Sequence, residues 1–399
     1  MKASKIFQGD MVIWVIFFFL CVISLVEVFS AASTLAYKDG SFWSPLIKQA
    51  AFLAGGTLVV IFFHNIPCRF FKLIPIIFLP LSVILLLITL LFGNEANDAS
   101  RWIGFGFFQF QPSEIAKVTV IASVALVLAQ QQRQDGADDK AFKYTLIIVG
   151  VICALIFTEN LSTAALLFGV VFLMMFIGRV KLILLGKLIL GIIGGLGLII
   201  LIAAISPKDS AIMKSRIFHR FQTWESRIDK QGEDIEKDAK TYRITDKTAQ
   251  RDHANIAIAT SGFIGKMPGN SVQRDFLSQA YSDFIFAIII EELGLWGAAM
   301  VVFLYIVLLF RAGRIASRCE RNFPAFLAMG LALLLVSQAI LNMMVATGLF
   351  PITGQPLPLI SRGGTATLIN CTYIGMILSV SRYSRKTLDH SDPFVKASK

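Results

Sequence analysis

Runs of about twenty apolar residues recur along this chain, near 12–31, 47–66, 73–93, 113–130, 143–158, 161–178, 182–206, 284–310, 325–347 and 362–381. About 20 such residues carry a helix across the roughly 30 Å hydrocarbon core, where a helix satisfies its backbone polar groups without water. The pattern predicts an all-α polytopic membrane protein of about ten transmembrane helices. Charge supports it: 16% of the 399 residues are charged, against about 25% in a soluble domain. Mean hydropathy is +0.71. The first run is long and Glu27-Val28-Phe29-Ser30 is a poor cleavage site, so a removable signal peptide is not expected.

A net charge of +11 would suggest nucleic acid in a soluble protein. Its placement argues otherwise. Lys2, Lys5, Arg69, Lys72, Arg133, Lys140, Lys143, Arg179, Lys181, Arg311, Arg314, Arg318, Arg321, Arg382, Arg385 and Lys386 fall in the N-terminus, the short connections of one side and the tail. The positive-inside rule makes that side cytoplasmic, with both termini on it. Membrane lipid, and no nucleic acid, is the expected surroundings. Cys21, Cys68, Cys153, Cys319 and Cys371 show no CxxC or Cys/His spacing, and the four histidines are scattered. They give no zinc signature, and the cysteines read as small core residues.

The organisation is a single membrane domain over 1–399, with a large outer loop at 207–282 between helices 7 and 8 and a cytoplasmic tail at 382–399. The run 143–178 is too long for one span, and Glu159 at its middle would be costly in the bilayer centre. A hairpin with its tip at 158–160 removes that cost. The outer loop carries mixed charges from Glu225 to Asp252 and ends in a small, apolar stretch, 256–265, suited to lying on the bundle. The segment 348–364 is apolar, but Pro351, Pro356 and Pro358 with Gly363 and Gly364 forbid a regular helix. Non-helical backbone at membrane depth must be buried in protein or line a wet cavity, so a re-entrant cavity wall is expected.

Charged groups at the outer ends of these runs are the candidate sites. Arg101-Trp102-Ile103 follows the third run. Gln111-Pro112-Ser113-Glu114 opens the fourth as a helix start, with proline at the first position and a carboxylate in the first turn. Lys117 lies three residues past Glu114, on the same face. Two readings are open: Glu114 pairs Lys117 internally, or Arg101 and Lys117 attract a phosphate. Asp283 begins the eighth run, where a carboxylate can act as a cap or accept a proton from a sugar hydroxyl. Glu291 and Glu292 lie roughly 12 Å farther along a helix rising about 1.5 Å per residue. They are poorly placed as a glycosidase-like pair with Asp283. Internal contacts are expected for them, with one reaching a cation such as Arg362.

Four blocks in this order resemble the SEDS family of polytopic peptidoglycan glycosyltransferases: Arg101-Trp102-Ile103 with Gln111 to Lys117; Gly265 to Ser271; Ser282 to Phe286 with Glu291 to Gly294; and Asn342 to Pro358 with Ser361 to Gly364. The resemblance implies Asp283 as catalytic and Arg101, Gln111, Ser113, Glu114, Lys117, Asn270, Ser271, Ser361 and Arg362 as substrate-binding. It implies structural roles for Trp102, Pro112, Glu291, Glu292, Pro351, Pro356, Pro358, Gly363 and Gly364. Departures also stand out. Tyr281-Ser282 replaces the family's His-Thr, Met267-Pro268 interrupts its Gly-Lys-Gly-Leu-Gly-Asn-Ser, Arg362 replaces the tyrosine of Ser-Tyr-Gly-Gly, and Glu159-Asn160 stands where Pro-Asp is usual. Val28 to Ser33 and the Gly-Gln-Pro-Leu-Pro wording are closer to the cell-division branch, FtsW, than to the elongation branch, RodA.

Such a protein is expected in the cell inner membrane, polymerising lipid II at its outer face beside a class B penicillin-binding protein transpeptidase and other divisome proteins. The chemistry expected is inverting transfer: Asp283 takes the proton of an acceptor hydroxyl, and cations stabilise the leaving diphosphate. A divalent cation, Mg²⁺ or Mn²⁺, is an open expectation, its ligands unread. The rival readings are an elongation glycosyltransferase, a flippase or transporter for a lipid-linked precursor, and a structural scaffold. Transporter sites lie near the bilayer midplane on broken helices, whereas these candidate groups lie at the outer end.

Overall fold

The computed structural model describes residues 7–31, 43–92, 94–96, 99–105, 108–134, 136–205, 244, 248–277 and 279–391, with the backbone alone for 92, 94–96, 99–105, 108–109, 196, 199–205 and 385–391. The apolar runs are helices: α1 (Met11–Ala31), α2 (Ser44–Asn65), α3 (Leu73–Phe92), α4 (Pro112–Gln130), α5 (Asp139–Glu159), α6 (Leu161–Ile177) and α7 (Leu182–Ile205). After the outer connection come α8 (Ala249–Ser261), α9 (Ile285–Ser317), α10 (Asn322–Ala346) and α11 (Thr365–Ser391). Seven are long and apolar enough to cross a membrane: α1, α2, α3, α4, α5, α9 and α10. Of the other expected spans, α6 and α7 have shorter apolar parts, and α11 carries more polar residues. The chain is a membrane-embedded helical bundle.

Burial orders the bundle. In α4, 72% of the spanning window is buried and in α10 61%, against 22% in α2 and in the span that contains α3. The helices at the centre are thus those that begin at Gln111-Pro112 and carry Gln338. Small residues let others approach closely: a Cβ at Gly56 of α2 would meet Cys371 Sγ of α11 at 2.6 Å, and one at Gly375 would meet the Val60 carbonyl oxygen at 2.9 Å. Without water to drive helices together, such close backbone packing is a main source of association.

The expected hairpin is present. α5 ends at Glu159 and α6 starts at Leu161; Asn160 Oδ1 accepts from the Ser162 and Thr163 amides at 3.0 and 3.3 Å, capping α6. The polar tip therefore stays with the turn. α8 packs on α9, as expected for the stretch ending the outer loop. Residues 206–243 and 245–247, which hold most of the mixed-charge stretch 225–252, lie outside the described residues.

Two features were not expected. Three strands, β1 (Asn94–Ala96), β2 (Ala99–Phe105) and β3 (Phe108–Phe110), form a small antiparallel sheet, pairing Asn94 with Trp102 and Ile103 with Phe110. Its aromatic and β-branched content favours pleated pairing. The second is a break in α9 at Gly294, with φ 68° and ψ −168°. A break leaves carbonyls without helical partners. Here the carbonyls of Glu291 and Glu292 accept from the backbone amides of Lys266 and Met267 at 2.9 and 2.8 Å. The loop after α8 is thus laid into the kink.

Candidate active site

α10 is apolar but for a few positions, and two of these, Gln338 and Asn342, are one turn apart on one face and fully buried. A buried amide must be hydrogen-bonded or it costs about 1–3 kcal/mol. Gln338 Nε2 donates to the Pro356 carbonyl at 3.2 Å, and its Oε1 accepts from Lys117 Nζ at 3.2 Å. Asn342 Nδ2 donates to the carbonyls of Gln355 at 2.8 Å and Asp283 at 2.9 Å. One helix face thus gathers α4, the proline-rich segment and the turn before α9.

The proline-rich segment is irregular from Pro351 to Gly363, and Gln355, Leu357, Leu359, Ile360 and Ser361 are buried, so the expected non-helical stretch is present and packed inside the protein. Side chains from the surrounding helices satisfy its backbone. Tyr305 of α9 donates to the Pro358 carbonyl, Ser24 of α1 to the Ile360 carbonyl at 2.7 Å, and Gln355 Nε2 reaches Thr163 Oγ1 of α6 at 2.7 Å. The segment ends where Gly363 and Gly364 lead into α11.

Asp283 lies in the turn Tyr281–Phe284, two residues ahead of α9, whose cap is Phe284. It is half-buried, and its Oδ1 accepts from Ser282 Oγ at 3.0 Å. Ser361 Oγ donates to the Ser282 carbonyl at 2.6 Å, and the Arg362 amide to the Tyr281 carbonyl at 3.0 Å. The structure therefore brings Asp283, Ser361 and Arg362 together. The Arg362 guanidinium lies 5.6 Å from the centre of the Tyr281 ring, a cation–π contact. These are two of the positions that depart from the family pattern, and they touch.

Glu114 and Lys117 pair at 2.7 Å with side chains 4% and 0% exposed. Lys117 is engaged inside the protein by Glu114 and Gln338. Tyr373 adds a bond to the Glu114 carbonyl at 3.4 Å. Pro112 and Ser113 are buried in the first turn of α4, and Gln111 is half-buried as its cap. Arg101 and Trp102 sit on β2.

Glu291 and Glu292 are fully buried, but the cation beside them is not Arg362. Lys266 Nζ meets Glu291 Oε1 at 2.6 Å, because the kink at Gly294 draws the 265–272 loop onto this part of α9. Ser271 Oγ donates to Glu291 Oε2 at 2.5 Å, and the Val272 and Gln273 amides add bonds at 3.2 and 3.3 Å. Glu292 accepts from Ser30 of α1 and from the Ser271 amide at 3.2 Å. Arg274 Nη1 reaches the Ser30 carbonyl and hydroxyl at 3.1 and 3.0 Å. Ser271, expected at substrate, is buried here and fastens this loop. Asn270 Nδ2 closes on the Lys266 carbonyl at 3.0 Å. Among the described residues no three His, Cys, Asp or Glu side chains converge to hold a metal ion.

Gln338, Gln355, Thr163, Lys266 and Arg274 were not singled out from the sequence. For Gln338 the signal was there: with Asn342 it forms an i, i+4 amide pair in an apolar span.

A multi-helix membrane protein with a carboxylate held at one end, against an irregular buried wall, is the class that this geometry defines. The chain belongs to the FtsW/RodA/SpoVE family of cell cycle proteins, which it matches over residues 10–386. It is 30% identical over 374 residues to the probable peptidoglycan glycosyltransferase FtsW of Nitrosomonas europaea, covering 91% of this chain and 90% of that protein. Its fold is similar to a chain of a peptidoglycan synthase complex that coordinates polymerization and crosslinking, with TM-score 0.72, 22% identity and coverage of 95% and 99%. It is also similar to the rod shape determining protein RodA of Thermus thermophilus, with TM-score 0.65, 21% identity and coverage of 97% and 99%.

Proposed function

We propose that this chain is a peptidoglycan glycosyltransferase that polymerises lipid II into glycan strands at the outer face of the inner membrane during cell division, with both termini cytoplasmic. Membership of the family sets the reaction class. The observation that carries the site is the held turn: Asp283 is half-buried, and the carbonyls of Tyr281, Ser282 and Asp283 itself are each bound by an outside donor. A carboxylate so placed suits a general base.

In the reaction, the acceptor sugar's C4 hydroxyl gives its proton to Asp283 as its oxygen bonds to the donor's anomeric carbon. The bond from that carbon to undecaprenyl diphosphate breaks, and the electron pair leaves on the diphosphate. Single displacement inverts the anomeric carbon. A double displacement would need a second carboxylate about 5–5.5 Å away; Glu291 and Glu292 are occupied by the 265–272 loop. General-base help contributes about 10²–10⁴-fold, so positioning and charge stabilisation supply the rest. Arg101 is our candidate for the diphosphate, its planar fork matching phosphate oxygens. Lys117 is assigned to the internal ion pair. No step runs through a metal.

A class B penicillin-binding protein transpeptidase is the proposed partner, supported by the likeness to a chain from a peptidoglycan synthase complex; other divisome proteins follow from the division role. Purified wild type and Asp283→Asn should be compared for lipid II polymerisation, with and without that transpeptidase. The variant should make no polymer while remaining folded. Polymer at the wild-type yield from Asp283→Asn would sink the proposal, and lipid transfer across vesicles without polymer would favour a flippase.

A further inference from the structure

The first intrahelical acceptor of α9 is the Phe284 carbonyl, which takes the Ala287 and Ile288 amides at 3.0 and 3.3 Å. The three carbonyls before it have no helical use, and each meets an outside donor. Tyr281 is served by the Arg362 amide, Ser282 by the Ser361 hydroxyl and Asp283 by Asn342. The first two donors belong to the irregular segment. The third stands on α10, a rigid and deeply buried helix.

Asn342 is the junction of this arrangement. Its Nδ2 gives one bond to Asp283 and one to Gln355, and Gln355 in turn reaches Thr163 of α6. The amide's orientation is forced, since both partners are carbonyl oxygens and only the NH₂ end can face them. The two bonds bring the turn that bears Asp283 and the irregular wall to a common origin on α10. Ser282 Oγ then holds Asp283 Oδ1 at 3.0 Å. Asn342 holds the backbone at Asp283, and Ser282 bonds its carboxyl.

We infer that Asn342 is a positioning residue for glycosyl transfer: through the Asp283 carbonyl and the Gln355 carbonyl it fixes where the Asp283 carboxylate meets the acceptor hydroxyl. This rests on Asp283 being the general base. Asn342 is fully buried and its NH₂ is spent on two backbone carbonyls, so it acts on the reaction through them. Its loss should therefore act on turnover. A misplacement of about 1 Å in a reacting group can cost on the order of 10²-fold in rate.

The test uses the full-length purified chain, with lipid II polymerisation measured per folded molecule and thermal stability measured on the same preparation. Asn342→Leu keeps the size and removes the donor. Its kcat should fall on the order of 10–100-fold with KM within about twofold. An unchanged kcat, or a raised KM with kcat kept, would overturn the inference. Should Asn342→Leu fail to fold, Asn342→Ser, whose hydroxyl is too short to reach both carbonyls, is read the same way: kcat down by about three- to tenfold with KM kept supports the inference, and wild-type kcat overturns it. Asp283→Asn is run alongside. If it polymerises normally, the base assignment itself fails. If it is inactive while Asn342→Leu or Asn342→Ser turns over at the wild-type rate, only the positioning role of Asn342 fails.

Discussion

Gly265 and Gly294 press backbone against backbone: a Cβ on Gly265 would stand 2.4 Å from the Gly294 nitrogen, and one on Gly294 would stand 2.3 Å from the Phe263 carbonyl oxygen. Both have positive φ, 84° and 68°, and the extended ψ at Gly294 puts it in a region essentially reserved for glycine. Gly265→Ala or Gly294→Ala should each cost about 3 kcal/mol or more, since neither backbone can yield without losing the Lys266 and Met267 bonds. Thermal unfolding in detergent reads this, and a melting temperature equal to wild type would refute the crossing.

Glu291 is the main side-chain fastener of the same loop. Glu291→Ala leaves Lys266 without its buried partner and frees the Ser271 hydroxyl and the Val272 and Gln273 amides. Removing one partner of a buried pair costs about 3–5 kcal/mol; with Lys266 29% exposed, the lower end is expected. Limited proteolysis should accelerate within 262–277 before the rest of the bundle is cut. Unchanged protection there would show that the backbone bonds alone hold the loop.

The Glu114–Lys117 pair should behave as an internal unit. Lys117→Met alone strands a buried carboxylate and should destabilise by about 3–5 kcal/mol. Glu114→Gln combined with Lys117→Met removes both charges and should recover most of that stability, and polymerisation to within a few-fold. A stable but inactive double variant would return Lys117 to the diphosphate.

Much of this was legible in the sequence because membrane helices announce themselves by length and apolarity. The hairpin at Glu159-Asn160 followed from the cost of a carboxylate at the bilayer centre, and the buried wall at 351–363 from prolines in an apolar stretch. The break at Gly294 was not legible. One glycine in an apolar run is ordinary, and the donors that compensate it, Lys266 and Met267, lie on another segment. The partner of Glu291 was missed for the same reason: from the sequence Arg362 was as good a cation as Lys266 until the kink fixed which loop arrives. The strands at 94–96, 99–105 and 108–110 were missed, although their aromatic and β-branched residues suit pairing.

Tyr281 and Arg362 should show measurable coupling. A double-mutant cycle with Tyr281→Ala and Arg362→Ala, read by thermal stability, should give about 0.5–1 kcal/mol, as for a cation–π contact that is not fully desolvated. Additive effects would mean that the stacked arrangement contributes nothing.

The donor to the Tyr281 carbonyl is a peptide N–H, and its side chain takes no part in that bond. Arginine at 362 in place of the family's tyrosine thus leaves the turn's support untouched, and nineteen of the twenty amino acids would provide the same donor; proline alone, lacking the hydrogen, would not. What this position transmits from one generation of the protein to the next is a peptide plane at a set place and angle. Any such replacement keeps the bond to the Tyr281 carbonyl, so the geometry beside Asp283 does not depend on which side chain stands at 362.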